Sequence, residues 1–407
     1  MTNSRHITKV GRALWKIVSA VLLLALLLVI ATSVSAVYDF REPQPFSGKD
    51  IFNPYAAVEG LDTIEWKRAN FHTHTRVTGP LPPNECKYWP GEVDSIYRKL
   101  GYDIITFSNH NELTTHPYDS TLQVNVYEHG YNVFLYHKLV FGCHSVNYFD
   151  HLVPLFTFQK QFQLDLLGKD ADFIQMNHPF RTVGTSQEHF RKLEGYQIME
   201  LDSHRTTENE YWDWALSAGI YSFGLANDDL HYPDISECIA KRCNFLYCPS
   251  GRYDDLKSTL LSGAYYSMRV PDYGDGDWAV KHERNRHLPY VRSIGLDSAT
   301  VCIALSQKAD SIKFFGQDHC LLAMVRNDST ACYEMQPSDT YARITAYMPE
   351  GEVIYSNPFA RYDAATSASP FRAPTHTVNI PLTIIYNLLI LALCAGIIVL
   401  FYKKIIK

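Results

Sequence analysis

Apolar and polar positions change rhythm several times along this chain, and each change marks a different kind of segment. Near the start, Arg5, Lys9, Arg12 and Lys16 precede the apolar run Ile17 to Ala31, and Val34-Ser35-Ala36 offers the small residues of a signal-peptidase site. Residues 1–36 therefore read as a signal peptide or an N-terminal membrane anchor, and the length of the run favours the anchor. Near the end, Leu382 to Tyr402 carries no charge. At about 1.5 Å per residue such a helix crosses a bilayer core of roughly 30 Å. This predicts a transmembrane helix over 380–402 and a cytoplasmic basic tail over 403–407, with Lys403, Lys404 and Lys407. Basic residues at both ends predict that both termini face the cytoplasm. The chain between them is then extracytoplasmic, and periplasmic if the cell is Gram-negative.

Between the ends lie a linker over 37–60, with Pro43, Pro45, Gly48 and Pro54, and then a strand–helix alternation. Arg68 to Phe71 reads as a strand end. Val93, Ile96, Tyr97 and Leu100 fall at helical spacing before Gly101, and Asp103 to Phe107 reads as a buried strand. Phe173 to Met176, Ile198 to Leu201 and Ile220 to Leu225 are further strands. Tyr211 to Ala218 and Asp254 to Ser262 are helices stopped by Gly219 and Gly263. Alternation of this kind over 61–275 predicts an α/β domain with a parallel sheet, open or closed into a barrel. Over 290–362 the helices vanish and short turn-separated strands predict a small antiparallel β-sandwich. Residues 363–378 form a polar tether before the C-terminal helix.

Composition narrows the function classes. Apolar residues make up 46% and charged residues 20%, which is a globular balance, and the net charge of -6 shows no basic excess for nucleic acid. No nucleic-acid partner is expected. Nine cysteines in an exported chain permit disulfides, whose pairing spacing does not assign.

Histidine changes the picture most. Twelve of the 17 lie between His72 and His231. His72 and His74 follow the first strand. Asn109-His110-Asn111 follows the strand ending at Phe107, His178 with Pro179 follows Met176, and Asp229-Leu230-His231 follows Leu225. Each group sits just past the C-terminal end of a strand, the rim where βα barrels build active sites. The H-x-H pair on an extended segment points both rings one way. Imidazoles with carboxylates suit zinc, iron or manganese.

The order H-x-H, strand then polar residue and His, Glu, His-Pro, D-x-H resembles the PHP (polymerase and histidinol phosphatase) superfamily over Trp66 to Val270. The segment with Tyr341-Ala342-Arg343 and Asn357-Pro358-Phe359 resembles the small sandwich of exported members, including the carbaryl-hydrolase-like branch. The resemblance implies a distorted seven-stranded βα barrel and a metal-dependent hydrolase with one to three divalent ions (Zn, Mn or Fe). It implies His72, His74 and Asp229 at a first metal, Glu128 bridging two metals, and His178 with His137 at a second. His129 and His144 compete with His137 for that place. His110 and His231 would serve a third. Two departures stand out: Asn109 replaces a frequent Asp, and Arg76 to Pro80 offers no ligand type after His74.

The implied reaction is hydrolysis of a small-molecule or envelope-derived phosphoester, because a bound cation lowers the pKa of water from about 16 toward roughly 7. Arg76 is either a phosphate clamp or a surface arginine. Asp228 is either a proton shuttle or a loop carboxylate. His204 either lines the pocket or lies exposed. The alternatives are a carboxylic or carbamic ester hydrolase with the same metals, and a non-catalytic, metal-stabilised subunit of an envelope complex.

Overall fold

A computed structural model describes residues 2–78, 84–116, 123–201 and 210–406, with side chains over 11–405 of these. Two apolar helices stand at the ends, Thr2–Ala31 and Ile380–Phe401. Within them, Gly11–Ala31 and Ile380–Ile405 are long and apolar enough to cross a membrane by length and composition. The helices pack side by side. Polar groups lock them where they meet the folded body. Asn387 accepts from the Ser35 amide at 3.1 Å and donates to its carbonyl at 2.8 Å, while Thr383 Oγ1 accepts from the Val37 amide at 2.9 Å. Tyr38–Asp39 then pairs antiparallel with Thr377–Val378, so the two connections leave the helices together.

The body holds two large sheets. A five-stranded sheet runs in the order Val126–His129, Lys138–Phe141, Phe173–Met176, Ile198–Leu201, Phe223–Ala226. Its first two junctions are antiparallel and its last two parallel. An eleven-stranded sheet contains Lys67–Asn70, paired in parallel with Ile104–Ile105 and antiparallel with Arg242–Leu246. The expected closed barrel is not formed among the described residues. The two sheets approach along seams held by isolated bridges, Thr73 with Leu230 and His110 with Glu128. At one seam asparagines take the place of a ladder. Asn227 Oδ1 accepts from the Phe71 amide at 3.0 Å, and Asn244 Oδ1 accepts from the Ala226 amide at 2.9 Å. Buried amides must be satisfied, and side chains do it here where strand pairing stops.

The β-rich segment after residue 290 continues the larger sheet, because Val353–Ser356 pairs with Tyr265–Arg269. The sequence pattern predicts only short strands here. The structure has one strand, Thr300–Gly316, whose polar middle disguised its continuity. It pairs with Cys320–Glu334, and Cys302 is disulfide-bonded to Cys332 in register. The helix Thr157–Leu167 gives no clear apolar period in the sequence, since Gln159, Lys160, Gln161 and Gln163 are buried along with its apolar residues.

The two residue groups flagged in the β-rich segment bind it to the rest of the body. Arg343 is fully buried and forks onto Asp213, with Nε to Oδ1 at 2.8 Å and Nη2 to Oδ2 at 2.5 Å. Tyr341 donates to the same carboxylate at 2.9 Å. Asn357 accepts from the Gly224 amide at 2.9 Å and donates to the Gly263 and Tyr265 carbonyls at 3.0 Å each. Removing one member of a buried pair strands the other charge, at a cost of about 3–5 kcal/mol. Asp213→Ala should therefore lower the unfolding temperature sharply in circular-dichroism melts. The double change Asp213→Leu with Arg343→Met should lower it much less. Equal losses in the two variants would show that the charge pair is not what matters.

Candidate metal centre

Strand ends carry the ligand-type side chains to one place. His72 and His74 leave Lys67–Asn70, and backbone bonds tie them to the loop holding Asp229: the His74 amide donates to the Leu230 carbonyl at 2.9 Å. Glu128 sits inside Val126–His129, and His137 directly precedes Lys138–Phe141. His178 follows Phe173–Met176. The backbone is bent into the left-handed region at Asn111, His178 and Asp229. Side chains rarely adopt that region, and such strain concentrates at functional sites. Gly130 admits the neighbouring ring, since a Cβ there would meet His137 Cδ2 at 2.5 Å.

Glu128 is the hub. Its Oε1 lies 3.2 Å from His72 Nε2, 3.2 Å from His137 Nδ1 and 3.3 Å from His178 Nε2. Its Oε2 lies 3.2 Å from His74 Nε2 and 3.1 Å from His110 Nε2. Asp229 Oδ1 stands 3.2 Å from both His72 Nε2 and His74 Nε2. Three overlapping groups of donor atoms result: His72, His74, Glu128 and Asp229; His110, Glu128 and His137; His74, Glu85 and His110. His231 Nε2 faces Glu85 at 3.5 Å, while its Nδ1 donates to the Asp229 carbonyl at 2.8 Å.

These residues fit a divalent cation. The His72 Nδ1–H donates to Glu200 at 2.9 Å, which leaves the Nε2 lone pair facing Glu128 and Asp229. That nitrogen is buried and has no hydrogen bond, and the same is true of Glu85 Oε2. Buried polar atoms without partners are costly, and a cation satisfies a nitrogen lone pair and carboxylate oxygens at once. The electrostatics agree. Burial alone would raise Glu128, but the charges of His110, His72 and His137 outweigh it and hold the carboxyl well below its usual range. Burial pulls His72 down, yet Asp229, Glu128 and Glu200 carry it well above the imidazole range. His74 is likewise depressed by burial, but bonding to Asp229 and Glu128 lifts it to about 9. Burial dominates at His110, which falls to about 4, and at His178, which is also lowered. At His72 and His74 the neighbouring carboxylates hold a proton that a cation would displace.

Of the three candidates for the second imidazole, His137 reaches the cluster. His129 is turned to the Phe149 carbonyl at 2.9 Å, and His144 is exposed and paired with Asp170 at 2.8 Å. Arg76 is placed outside the cluster, exposed, with its guanidinium 4.7 Å over the Trp89 ring. Asp228 is placed apart as well. Its carboxylate accepts from the Ala240, Lys241 and Arg242 amides at 2.7–3.0 Å and from Tyr97 at 2.8 Å, which is the work of a loop anchor. His204 lies outside the described residues.

Three participants escaped the sequence reading. Glu85 supplies the carboxylate that Arg76 to Pro80 lacks, farther along the loop than expected; its place in Asn84-Glu85-Cys86 gave no periodic signal. Glu200 was visible as a lone acid in the apolar strand Ile198–Leu201. It bonds His72 Nδ1, and its Oε2 accepts from the His178 amide at 2.7 Å. Arg181 follows His178-Pro179 closely and holds Asp229 Oδ2 at 2.7 Å.

No protein-family model matches the chain, and no curated protein matches it. Among solved structures, it is similar to a two-domain protein from Bacteroides vulgatus containing a predicted PHP-like metal-dependent phosphoesterase. The identity is 13% and the TM-score 0.39, with 79% of this chain and 99% of that chain covered.

Two outcomes are expected. Ligation requires His74 to lose the proton it holds up to about 9, so affinity for Mn²⁺ or Zn²⁺ should rise with pH through neutrality and level off above that value. Calorimetric titration across this range checks it, and a pH-independent affinity would contradict it. Glu200→Gln should weaken metal binding by about 10–100-fold, because partners that orient a ligating imidazole contribute that much. Unchanged affinity would mean that His72 needs no such orientation.

Proposed function

We propose that this chain is a membrane-anchored, metal-dependent hydrolase of the PHP type, acting on phosphoesters outside the cytoplasm. One observation carries this reading. His72 Nε2 and His74 Nε2 each stand 3.2 Å from both Glu128 and Asp229, buried from water. Nitrogen and carboxylate donors in that mixture suit Zn, Mn or Fe. The sequence order of H-x-H, His, Glu, His-Pro and D-x-H supports the same family. The seam bridges support a distorted barrel whose rim is this centre.

The roles are those the family resemblance implies, with Glu85 added from its place beside His74 and His110. His72, His74 and Asp229 would hold a first ion, and Glu128 would bridge to a second held by His137 and His178. Glu85, His110 and His231 would hold a third. The ion supplies Lewis-acid polarisation and a lowered pKa for water. Glu200 fixes the ring of His72 so that Nε2 faces the site. Arg181 orients Asp229 and brings a guanidinium to the edge of the cluster, about one-third exposed. That cation favours phosphate over a neutral ester, since its planar fork matches phosphate oxygens.

Two terminal helices of membrane-spanning length support anchoring, and the Cys302–Cys332 disulfide supports an oxidising compartment outside the cytoplasm. Detergent-purified full-length protein should carry Zn, Mn or Fe in elemental analysis and hydrolyse p-nitrophenyl phosphate faster than p-nitrophenyl acetate. Asp229→Asn should reduce the phosphatase rate by roughly 100-fold or more. A metal-free, inactive protein would instead point to a binding subunit, and preference for the acetate to an ester hydrolase.

A further inference from the structure

A short series of hydrogen-bonded segments links the ends of the two apolar helices to the metal centre. His151 Nδ1 donates to the Thr32 carbonyl at 2.6 Å, just past the first helix. Gln159 donates to the Ser33 carbonyl at 3.3 Å, and the Phe158 ring stands edge-on to Tyr386 of the second helix at 5.1 Å. From this junction backbone bonds lead straight to the site. The Val133 amide donates to the Leu152 carbonyl at 3.1 Å, and the Val183 amide to the Phe134 carbonyl at 2.7 Å. The turn Pro179–Arg181 lies between Val183 and His178, and its Arg181 holds Asp229.

Several side chains on these segments are apolar and open. Val133 is 66% exposed, Leu155 59%, Phe156 49%, Phe180 41% and Val183 52%. Single exposed apolar residues are ordinary, but several on segments joined by backbone bonds mark a surface that leaves water. Its continuity with the helix ends says what covers it. Phe156 stacks on Phe158, which in turn meets Tyr386, so the set begins where the helices would emerge from the bilayer. A cleft of about 640 Å³ opens at the same junction, lined mainly by apolar side chains including Val34, Phe149, Phe162 and Leu391.

We propose that these residues form a lip lying in the bilayer interface, and that the centre takes its phosphoester from a membrane-resident lipid. This deepens the hydrolase and membrane-spanning readings above and rests on them. The headgroup then meets Arg181 and the carboxylate–imidazole cluster while its tail remains in the membrane. Water forms a bond to phosphorus, the phosphorus–oxygen ester bond breaks, and the proton lost by water goes to the leaving alcohol oxygen.

The test uses the full chain reconstituted in phosphatidylcholine vesicles. One arm offers soluble p-nitrophenyl phosphate. The other offers vesicle-borne phosphatidate, phosphatidylglycerol or a polyprenyl phosphate. Leu155→Ser with Phe156→Ser should lower hydrolysis of the vesicle-borne substrate by roughly tenfold or more, since two apolar side chains lose their seat in the membrane. The same variant should leave the p-nitrophenyl phosphate rate and the unfolding temperature unchanged. In a Val133→Trp variant, the added indole fluorescence should be quenched by lipids with brominated chains. Hydrolysis of p-nitrophenyl phosphate without any lipid phosphoester overturns the inference and leaves the hydrolase reading standing. Equal loss on both substrates, no loss on the lipid, or an unquenched indole overturns it too, the last pointing to a protein partner on the lip. Hydrolysis of neither substrate removes the hydrolase reading, and this inference with it.

Discussion

One buried carboxylate governs this structure. Glu128 is enclosed by five imidazoles at 3.1–3.3 Å. A charge removed from water survives only if the surroundings return what hydration supplied. The chain meets that demand from four separate strand ends, and each must arrive within hydrogen-bonding reach. Much else follows. The strands are short where they meet the site, the backbone is strained at His178 and Asp229, and asparagine side chains replace ladder bonds along one seam. Regular pairing is sacrificed around the centre because convergence there is worth more than a closed sheet.

The same logic explains the rigid support behind the cluster. Glu200 reaches His72, the His178 backbone, Gln175 and Asn227, so one acid ties strands of both sheets together. Farther out, Asp213 and Arg343 join the β-rich segment to the helix Glu210–Ser217. The appended strands therefore brace the body of the protein as well as extending its sheet.

Much of this was legible in the sequence, for identifiable reasons. His178, Asp229 and His231 stood out because each follows an apolar strand, and His72 and His74 because of their own H-x-H spacing. The strands Phe173–Met176 and Ile198–Leu201 were read at their observed bounds. What was hidden lacked a periodic frame. Glu85 lies in a loop, so nothing along the chain announced its position. The helix Thr157–Leu167 buries glutamines and a lysine, which defeats any reading by hydrophobicity. Strand–helix alternation left the sheet open or closed, and the barrel came from the family resemblance, because alternation does not fix whether the last amide bonds are made by backbone or by side chains.

The asparagines at the seam have an evolutionary consequence. Asn244 accepts from the Ala226 amide and from Ser267, and it donates to the Ala226 carbonyl and to Asn227. An aspartate of the same shape could accept but not donate, and a residue without an amide could do neither. Substitution at such positions therefore costs more than an exchange between apolar residues of similar size. Distant kin of this chain would then be traced better by their conserved carboxamides than by overall similarity.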